Sequence, residues 1–453
     1  MAVAAAVGAA GFLGMHAAPA AAAVSILTTL STFSGANGAS PYAGVSIAPD
    51  GTLFGTTSLG GAFGAPYGLG TLFRVQPKGG LASLFSFAGS NGAKPWSELL
   101  PDEGGLLWGT TYTGGASNLG TIFSMTTNGA LTSRAAFTGA NGANPSARLT
   151  YGPDGALYGT TQSGGDSGLG TVFRFSTNGG LVTLASFNGA NGANPYAPLV
   201  LGSDGNFYGT TVNGGDSGLG TVFRITPQGT LSVLWSFDGV SGSNPYGGLE
   251  PDAAGQWYGT TAYGGSQDAG TIFRLGTNGT LDVVYEFTGG ADGANPWAGL
   301  SRGADGNLYG TTLLGGDGGW GTAYQITPAG LLTPMIAFGF NAGGASPRCR
   351  LRQGADGAWY GTTSIGGANG KGTVFRIDPA PPAMGRVAVS SDTISFSWEA
   401  LPGQVFQVQS ADDSSAADGW VDAGPPLVAT NSTVQFSDLI APDANRVYRV
   451  LLR

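Results

Sequence analysis

Short apolar runs alternate with clusters of Gly, Asn, Asp and Pro along most of the chain, and their order repeats about every 50 residues. Residues 145–187 show one repeat, with the apolar runs PSARLTYG, ALYGTT, GTVFRF and LVTLASF. Four short strands per repeat are typical of one blade of a β-propeller. The tripeptide Gly-Thr-Thr marks the seven repeats and begins at Gly55, Gly109, Gly159, Gly209, Gly259, Gly310 and Gly361. The pattern therefore predicts seven blades.

Two kinds of connection alternate between the predicted strands. Pairs such as Asp154-Gly155 and Asn178-Gly179 predict tight hairpin turns after the first and third strands. Longer segments of the GGDSGLG and GANGANP types follow the second and fourth strands. Alternate connections of an up-and-down sheet lie at opposite ends of its strands, so the long loops are predicted to share one face. Because binding residues are often carried on loops, we expect any function on this face.

The two ends of the repeat region predict how the propeller closes. Residues 25–33 (SILTTLSTF) read as a fourth strand without a preceding blade, and residues 373–377 (TVFRI) as a third strand without a following one. Pairing these two strands removes an open sheet edge. The predicted fold class is therefore all-β, with a seven-bladed β-propeller over residues 25–378 that is closed by the N-terminal strand.

Aromatic residues recur at three places in every repeat: before Gly-Thr-Thr, in the third strand and in the fourth strand. A residue type that all repeats share at one position is most simply explained by the packing of one blade on the next. We therefore interpret these positions as core. They are Phe54, Trp108, Tyr158, Tyr208, Tyr258, Tyr309 and Tyr360; Phe73, Phe123, Phe173, Phe223, Phe273, Tyr324 and Phe375; and Phe33, Phe87, Phe137, Phe187, Phe237, Phe287 and Phe338.

The repeat pattern stops after Asp378. The Pro-rich segment 379–385 predicts a stiff linker. Residues 386–453 contain alternating runs such as TISFSW and VFQVQS between clusters of Gly, Pro, Asp and Asn. This alternation predicts a small β-sandwich domain.

Composition narrows the classes of function. The chain has 83 Gly, 42% hydrophobic and 10% charged residues, which indicates a folded β-protein rather than a disordered chain. Its net charge of −9 argues against nucleic acid or an anionic membrane as a partner. No segment is long and apolar enough to predict a membrane span. The single cysteine, Cys349, excludes an intramolecular disulfide, and we expect a monomer.

The N-terminal segment MAVAAAVGAAGFLGMHAAPAAAA is apolar and rich in alanine, and its end predicts signal-peptide cleavage. Residues 1–23 are therefore predicted to be a signal peptide, and the protein is expected to be secreted or held at the cell surface. The only histidine, His16, lies inside this segment. The mature chain would then lack histidine bases, triads and metal ligands. We predict no cofactor, no metal and no catalytic residue.

The recurring pattern LYGTT..GG...GTVFR....G.L..L.SF.G.NGA.P resembles the GloVer tandem repeat of secreted bacterial proteins, which are described as choice-of-anchor proteins. The resemblance covers residues 25–378 and implies export from a bacterium and a repeat domain without an assigned biochemical role. Sorting signals of that family are not evident in the ending VYRVLLR. The segment ISFSWEALPGQVFQVQSA is similar to fibronectin type III modules, which implies a role in spacing or adhesion.

The residue after the first-strand proline varies between repeats, so blade packing constrains it less than it constrains the aromatic core. Five aromatic side chains at this position would surround the axial mouth on the long-loop face, and flat rings suit stacking against sugars. We therefore predict a non-enzymatic module that binds an extracellular polysaccharide or surface glycan. The alternative is that these side chains only fill the wedge between blades. The candidate ligand-binding residues are Tyr42, Trp96, Tyr196, Tyr246, Trp297 and Arg348, and Ser146 occupies the remaining position.

Charged residues on the first strands have two interpretations. Glu98, Arg148 and Arg350 occupy equivalent positions in different repeats, and ion pairs between blades explain them most simply. The alternative function is a carbohydrate-active enzyme, a glycosidase or polysaccharide lyase, that uses Glu98 with Glu250 or Asp252. Two carboxylates about 5–10 Å apart in the axial pocket would favour the enzyme.

Overall fold

The computed structural model describes residues 25–178, 180–341, 343–379, 384–389, 393–399, 405–411, 421–430, 433–439 and 447–452. These residues form β-strands, turns and loops, and none of them is helical. Accordingly, the described ranges hold no helix that could cross a membrane. The predicted signal peptide, residues 1–23, lies outside the described residues.

Residues 25–379, Gly179 and Ala342 aside, contain six antiparallel sheets of four strands in sequence order and one antiparallel sheet of five strands. The first strands are β2 (Ser46–Ile47), β6 (Leu100–Pro101), β10 (Thr150–Tyr151), β14 (Val200–Leu201), β18 (Glu250–Pro251), β22 (Ser301–Arg302) and β27 (Arg352–Gln353). The second strands are β3 (Leu53–Thr57), β7 (Leu106–Thr111), β11 (Leu157–Thr161), β15 (Phe207–Thr211), β19 (Trp257–Thr261), β23 (Leu308–Thr312) and β28 (Trp359–Ile365). The third strands are β4 (Thr71–Val75), β8 (Thr121–Thr126), β12 (Thr171–Phe175), β16 (Thr221–Ile225), β20 (Thr271–Leu275), β24 (Thr322–Ile326) and β29 (Thr373–Asp378). The fourth strands are β5 (Leu81–Ser86), β9 (Leu131–Ala136), β13 (Leu181–Ser186), β17 (Leu231–Ser236), β21 (Leu281–Glu286) and β25 (Leu332–Ala337).

The N-terminal strand β1 (Ile26–Thr32) completes the last sheet, as the sequence predicts. It runs antiparallel to β29, with Ile26 opposite Asp378 and Thr32 opposite Thr373. A short strand β26 (Ala345–Pro347) adds a further pairing with β28 in this sheet. The first and last segments of the repeat region are therefore joined by backbone hydrogen bonds.

Contacts within one sheet explain why the first and third residues of the Gly-Thr-Thr tripeptide are glycine and threonine. A Cβ atom on Gly159 would lie 2.6 Å from Cζ of Phe173, so the ring of the third strand leaves no space for a side chain. The second threonine, Thr161, makes a hydroxyl-to-hydroxyl hydrogen bond of 2.8 Å with Thr171 across the strand pair. Buried hydroxyls that bond each other avoid the cost of an unsatisfied polar group.

The first threonine of each tripeptide links its sheet to the next. Thr160, for example, donates from its hydroxyl to the carbonyl oxygen of Ala197 in the following repeat, at 3.2 Å. The last repeat makes the same bond to the first, from Thr362 to the Ala43 carbonyl at 2.8 Å. The other bonds of this set are Thr56 to Ser97, Thr110 to Ala147, Thr210 to Gly247, Thr260 to Ala298 and Thr311 to Cys349. Linked sheets of this kind form a propeller-like arrangement.

Apolar clusters between neighbouring sheets hold the core. In one cluster, Tyr158 and Phe187 of one repeat pack with Phe207 and Phe223 of the next. The predicted aromatic core positions are buried, with one exception, Tyr208, which is half-buried. The interpretation of these residues as inter-sheet core is confirmed.

The first strands are shorter than the sequence pattern suggests. In the run PSARLTYG, only Thr150 and Tyr151 pair with the second strand. The proline offers no N–H donor, and the Ala147 carbonyl accepts a hydrogen bond from Thr110 of the preceding sheet. The candidate ligand-binding residues therefore lie between the first-strand proline and the paired first strand. We call these stretches, residues 146–149 in this repeat, the inner segments.

The C-terminal part contains two antiparallel sheets around one core. One sheet has β30 (Met384–Val389), β31 (Thr393–Glu399) and β35 (Thr433–Leu439). The other has β32 (Val405–Ala411), β33 (Val421–Asp422), β34 (Leu427–Val428) and β36 (Val447–Leu452). Phe396 and Trp398 of the first sheet pack with Phe406 and Tyr448 of the second. β30 begins at Met384, which pairs with Trp398.

Candidate functional site

A sharp backbone turn brings each inner segment into position. The residue before the first-strand proline has a positive φ of 51–59° in every repeat. This left-handed region is tolerated best by Gly and Asn, and Asn occupies the position in the repeats of Asn144, Asn194, Asn244 and Asn295. The Asn144 side chain donates to the Tyr112 carbonyl at 2.9 Å, and Asn194 donates to the Gln162 carbonyl at 2.9 Å. The turn thus fixes the residue after Gly-Thr-Thr as well as the inner segment.

Alternate residues of an extended segment point to opposite sides. In the last repeat, Cys349 and Leu351 are buried in the inter-sheet core, whereas Arg348, Arg350 and Arg352 are half-buried on the other side. Burial raises the pKa of the Cys349 thiol to about 11, so it stays protonated in the core. The inner segments therefore present one side chain directly after the proline, and every second residue after it lies on the same side of the segment.

The variable residues after the proline converge in one aromatic cluster. Tyr246 stacks on Trp297 with a centroid distance of 4.2 Å and an interplanar angle of 4°. Tyr196 meets Trp297 edge-on at 6.4 Å, and Tyr42 meets Trp96 edge-on at 5.6 Å. All five side chains are half-buried. Residues from different repeats thus meet in one cluster.

A cavity of about 270 Å³ lies within this cluster, and we call it the mouth pocket. Five of the six predicted residues line it, while Tyr246 supports Trp297 from outside the lining. The small side chain of Ser146 donates to the Tyr196 carbonyl at 3.2 Å. The mouth pocket is lined by Tyr42, Trp96, Tyr112, Gln162, Tyr196, Trp297 and Arg348.

Two lining residues, Tyr112 and Gln162, are absent from the sequence prediction. Tyr112 stacks on Trp96 with centroids 3.9 Å apart, and its hydroxyl donates to Oε1 of Gln162 at 3.4 Å. Both residues directly follow a Gly-Thr-Thr tripeptide, a position that also varies between repeats. That variation was a usable signal. The full set at this position is Ser58, Tyr112, Gln162, Val212, Ala262, Leu313 and Ser364.

Arg348 lies between two rings of the mouth pocket. Its Cζ atom is 4.4 Å from the centroid of Trp297 and 5.0 Å from that of Tyr42. Both contacts are cation–π interactions. No carboxylate of the described residues lies within 4.0 Å of its guanidinium. Its charge therefore rests on aromatic faces and not on an acidic side chain.

Burial keeps three tyrosines of the aromatic cluster protonated. Burial raises the pKa of Tyr196 to about 12, and it also raises the pKa of Tyr112 and of Tyr246. These phenols therefore act as neutral hydrogen-bonding groups at physiological pH.

Ion pairs occupy the axis below the mouth pocket. Glu98 accepts from Nε of Arg352 at 2.7 Å and lies 3.8 Å from Nε of Arg148. Glu250 pairs with Arg350, whose Nε also donates to the Ser301 hydroxyl at 2.9 Å. Burial lowers the pKa of Arg350, and Glu250 opposes that shift. The predicted ion pairing of Glu98 with Arg148 is present, and Arg352 is a further partner that the prediction lacked.

Two observations concern the alternative enzymatic function and the binding of a metal ion. Glu98 and Glu250 each face an arginine, and neither lines the mouth pocket. Within the described ranges, His, Cys, Asp and Glu side chains do not gather into a group of three that could hold a metal ion.

Comparison with protein families identifies the repeats. The model of the Gloeobacter/Verrucomicrobia repeat matches residues 18–202 and 196–404. Because the match covers most of the chain, the protein belongs to the Gloeobacter/Verrucomicrobia repeat family. No curated protein matches it.

Several solved structures are similar at low identity. A gluconolactonase of Xanthomonas campestris is 15% identical, with a TM-score of 0.38 over 59% of this chain and 83% of that one. A candidate 6-phosphogluconolactonase of Bacteroides uniformis is 17% identical, with a TM-score of 0.45 over 68% and 87%. One of Bacteroides fragilis is 16% identical, with a TM-score of 0.46 over 88% and 98%. At these values, no activity is transferred to this chain.

Proposed function

We propose that the protein is an exported, non-enzymatic binding module that recognises an extracellular glycan through the mouth pocket. The pocket would lie at the axial mouth of a seven-bladed propeller. The C-terminal sheets would form a fibronectin type III-like module that spaces or attaches the propeller.

The seven-bladed ring is supported by contacts that repeat without interruption. Every repeat has one sheet with the Gly-Thr-Thr strand at its second position. The bond from Thr362 to Ala43 joins the same donor and acceptor positions as the bond from Thr160 to Ala197. A ring built from equivalent interfaces needs no capping repeat.

Glycan recognition is supported by one observation above all: half-buried aromatic side chains from separate repeats enclose a pocket of about 270 Å³. That volume is just under the roughly 300–1,000 Å³ of pockets for drug-sized ligands, so it suits a single sugar ring. The rings supply apolar contact for the C–H face of a sugar. Tyr112, Gln162 and Arg348 supply polar groups for its hydroxyls.

Binding is favoured over catalysis by the state of the axial carboxylates. A glycosidase of the usual kind needs two carboxyl groups that flank the scissile bond. Here Glu98 and Glu250 are engaged by Arg352 and Arg350. The residues that line the mouth pocket include no Asp or Glu.

A glycan array with the full chain tests the proposal. We expect binding to a restricted set of glycans and its loss in Trp96→Ala, because this ring lines the pocket. Tyr67→Ala serves as the matched control, since Tyr67 is 75% exposed and does not line the pocket. Absence of binding to every glycan, or equal loss in both variants, would contradict the proposal.

Export is tested separately. When the full chain is expressed in a Gram-negative host, we expect the processed protein outside the cytoplasm with Val24 as its first residue. Mass spectrometry of the N-terminal peptide measures this. Recovery of the intact N terminus from the cytoplasm alone would contradict export.

A further inference from the structure

The inner segment of the last repeat and the first residue of β27 together present three arginines on one side. Arg348, Arg350 and Arg352 alternate with the buried Cys349 and Leu351. Successive residues of an extended chain advance about 3.3 Å, so this column of cations spans roughly 13 Å from the mouth pocket inward. Three like charges in one column require compensation.

Carboxylates compensate the charges of Arg350 and Arg352 but not the charge of Arg348. Glu250 pairs with Arg350, and Glu98 pairs with Arg352. Arg148 also approaches Glu98, at 3.8 Å. Arg348 is the exception, because no carboxylate of the described residues lies within 4.0 Å of it. The local charge at the mouth is therefore positive, in a chain whose net charge is −9.

The residues that line the mouth pocket include four nitrogen donors that lack an acceptor in the described chain. Nε1 of Trp96, Nε1 of Trp297, Nε2 of Gln162 and Nε of Arg348 are buried without an acceptor in the described chain. Gln162 keeps this orientation because its Oε1 accepts from the Tyr112 hydroxyl. A site with several donors, one cation and no carboxylate is complementary to an anionic group that only accepts hydrogen bonds.

We infer that the glycan ligand carries a carboxylate, as a uronic acid does, and that Arg348 binds this carboxylate while the sugar ring occupies the mouth pocket. This inference rests on the proposed glycan-binding function and specifies its ligand class. A guanidinium pairs with a planar carboxylate through two parallel N–H···O bonds. The rings of Tyr42 and Trp297 hold the guanidinium in place through their cation–π contacts.

The pocket accommodates one acidic sugar unit rather than a long acidic polysaccharide. Its volume of about 270 Å³ fits one sugar ring. The net charge of −9 gives no general attraction for a polyanion outside the pocket. The bound group is therefore a terminal or otherwise accessible acidic sugar.

Isothermal titration of the full chain with matched sugars tests the inference. The probes are D-glucuronic acid against D-glucose and D-galacturonic acid against D-galactose. We expect at least one acid to bind roughly 10- to 100-fold more tightly than its neutral partner, the range for a charge-assisted hydrogen bond. Equal affinities would overturn the inference and leave the glycan-binding function standing, whereas no binding to any sugar in the titration or on the array would overturn both.

Variants of Arg348 locate the carboxylate. Arg348→Gln is expected to remove the preference for the acid, and Arg348→Lys to restore part of it. Arg74→Gln is the matched control, since it removes one charge from an exposed strand position. A preference for the acid that survives in Arg348→Gln would overturn the assignment. D-glucose 6-sulfate separates charge from shape: binding of the sulfate without binding of either uronic acid would overturn the carboxylate class.

Discussion

The inter-sheet core and the mouth pocket are both rich in aromatic residues, but they differ in how uniformly the repeats fill them. At the third-strand position of the core, every repeat has Phe or Tyr, and each of these side chains is fully buried. At the position after the first-strand proline, the repeats have Tyr, Trp, Ser or Arg, and the large side chains are half-buried.

The difference separates the two roles of an aromatic ring in a repeat protein. Each sheet interface has the same geometry, so each demands the same side chain. The mouth pocket is formed once, from side chains of different repeats, so its members can differ. In this chain the uniform positions coincide with the inter-sheet core, and most residues after the first-strand proline coincide with the mouth pocket.

The largest expected effect comes from removing the closing strand. Deletion of residues 1–36 removes β1, including its pairing with β29, and leaves a long unpaired sheet edge. We expect loss of the soluble monomer and formation of aggregates, measured by size-exclusion chromatography. The control is a chain that starts at Val24, which keeps β1. A stable monomer after the deletion would show that the sheet edge does not need β1.

The core and the mouth pocket should respond differently to truncation of an aromatic ring. Phe173→Ala is expected to lower the free energy of unfolding by about 3–5 kcal/mol, because it opens a cavity in the core. Trp96→Ala should cost only about 1 kcal/mol, the range of an aromatic stacking contact. Denaturant unfolding measures both values. Equal costs would mean that the mouth pocket is packing alone.

Ring closure predicts equal effects at two equivalent threonines. Thr160→Val and Thr362→Val each remove a hydroxyl bond to the next sheet and leave a carbonyl unpaired. Each should lower the free energy of unfolding by about 1–3 kcal/mol. An effect at Thr160 without one at Thr362 in denaturant unfolding would indicate that the ring is open in solution.

The smallest expected effect is that of pH on sugar binding. Between about pH 6 and 8 the affinity should stay constant, because arginine and carboxylate groups titrate outside that window. The pKa of Tyr196, raised by burial to about 12, also lies outside it. For an acidic sugar, Arg348 favours the ionised carboxylate and so lowers its pKa in the complex. The affinity for the acidic sugar should therefore be highest above the pKa of the free sugar and decrease as the pH falls below that value. Titration of a neutral sugar gives the control.

Most of the fold could be predicted because its information is local and repeated. The period of Gly-Thr-Thr, the turn pairs and the orphan strands at both ends specify the strand order of each sheet and its packing on the neighbouring sheets. The first strands are the exception. Their pattern looks like a full strand, but carbonyls such as that of Ala147 bond to the adjacent sheet instead.

The candidate site could be predicted in part. Variation between repeats pointed to Tyr42, Trp96, Tyr196, Tyr246, Trp297 and Arg348, and the structure brings them together. Their use in glycan binding stays a prediction. The same kind of variation after Gly-Thr-Thr also marks Tyr112 and Gln162.

Local sequence was thus enough for the strands, the repeat and the closing strand, since each depends on residues within one repeat or its neighbour. Contacts across the axis were not accessible in this way. Arg352 meets Glu98 although 254 positions separate them, and Tyr196 meets Trp297 edge-on although a whole repeat lies between theirs. Such contacts depend on how far each side chain reaches across the closed ring. The repeat pattern does not encode that reach, because these contacts join repeats that do not follow each other in the sequence.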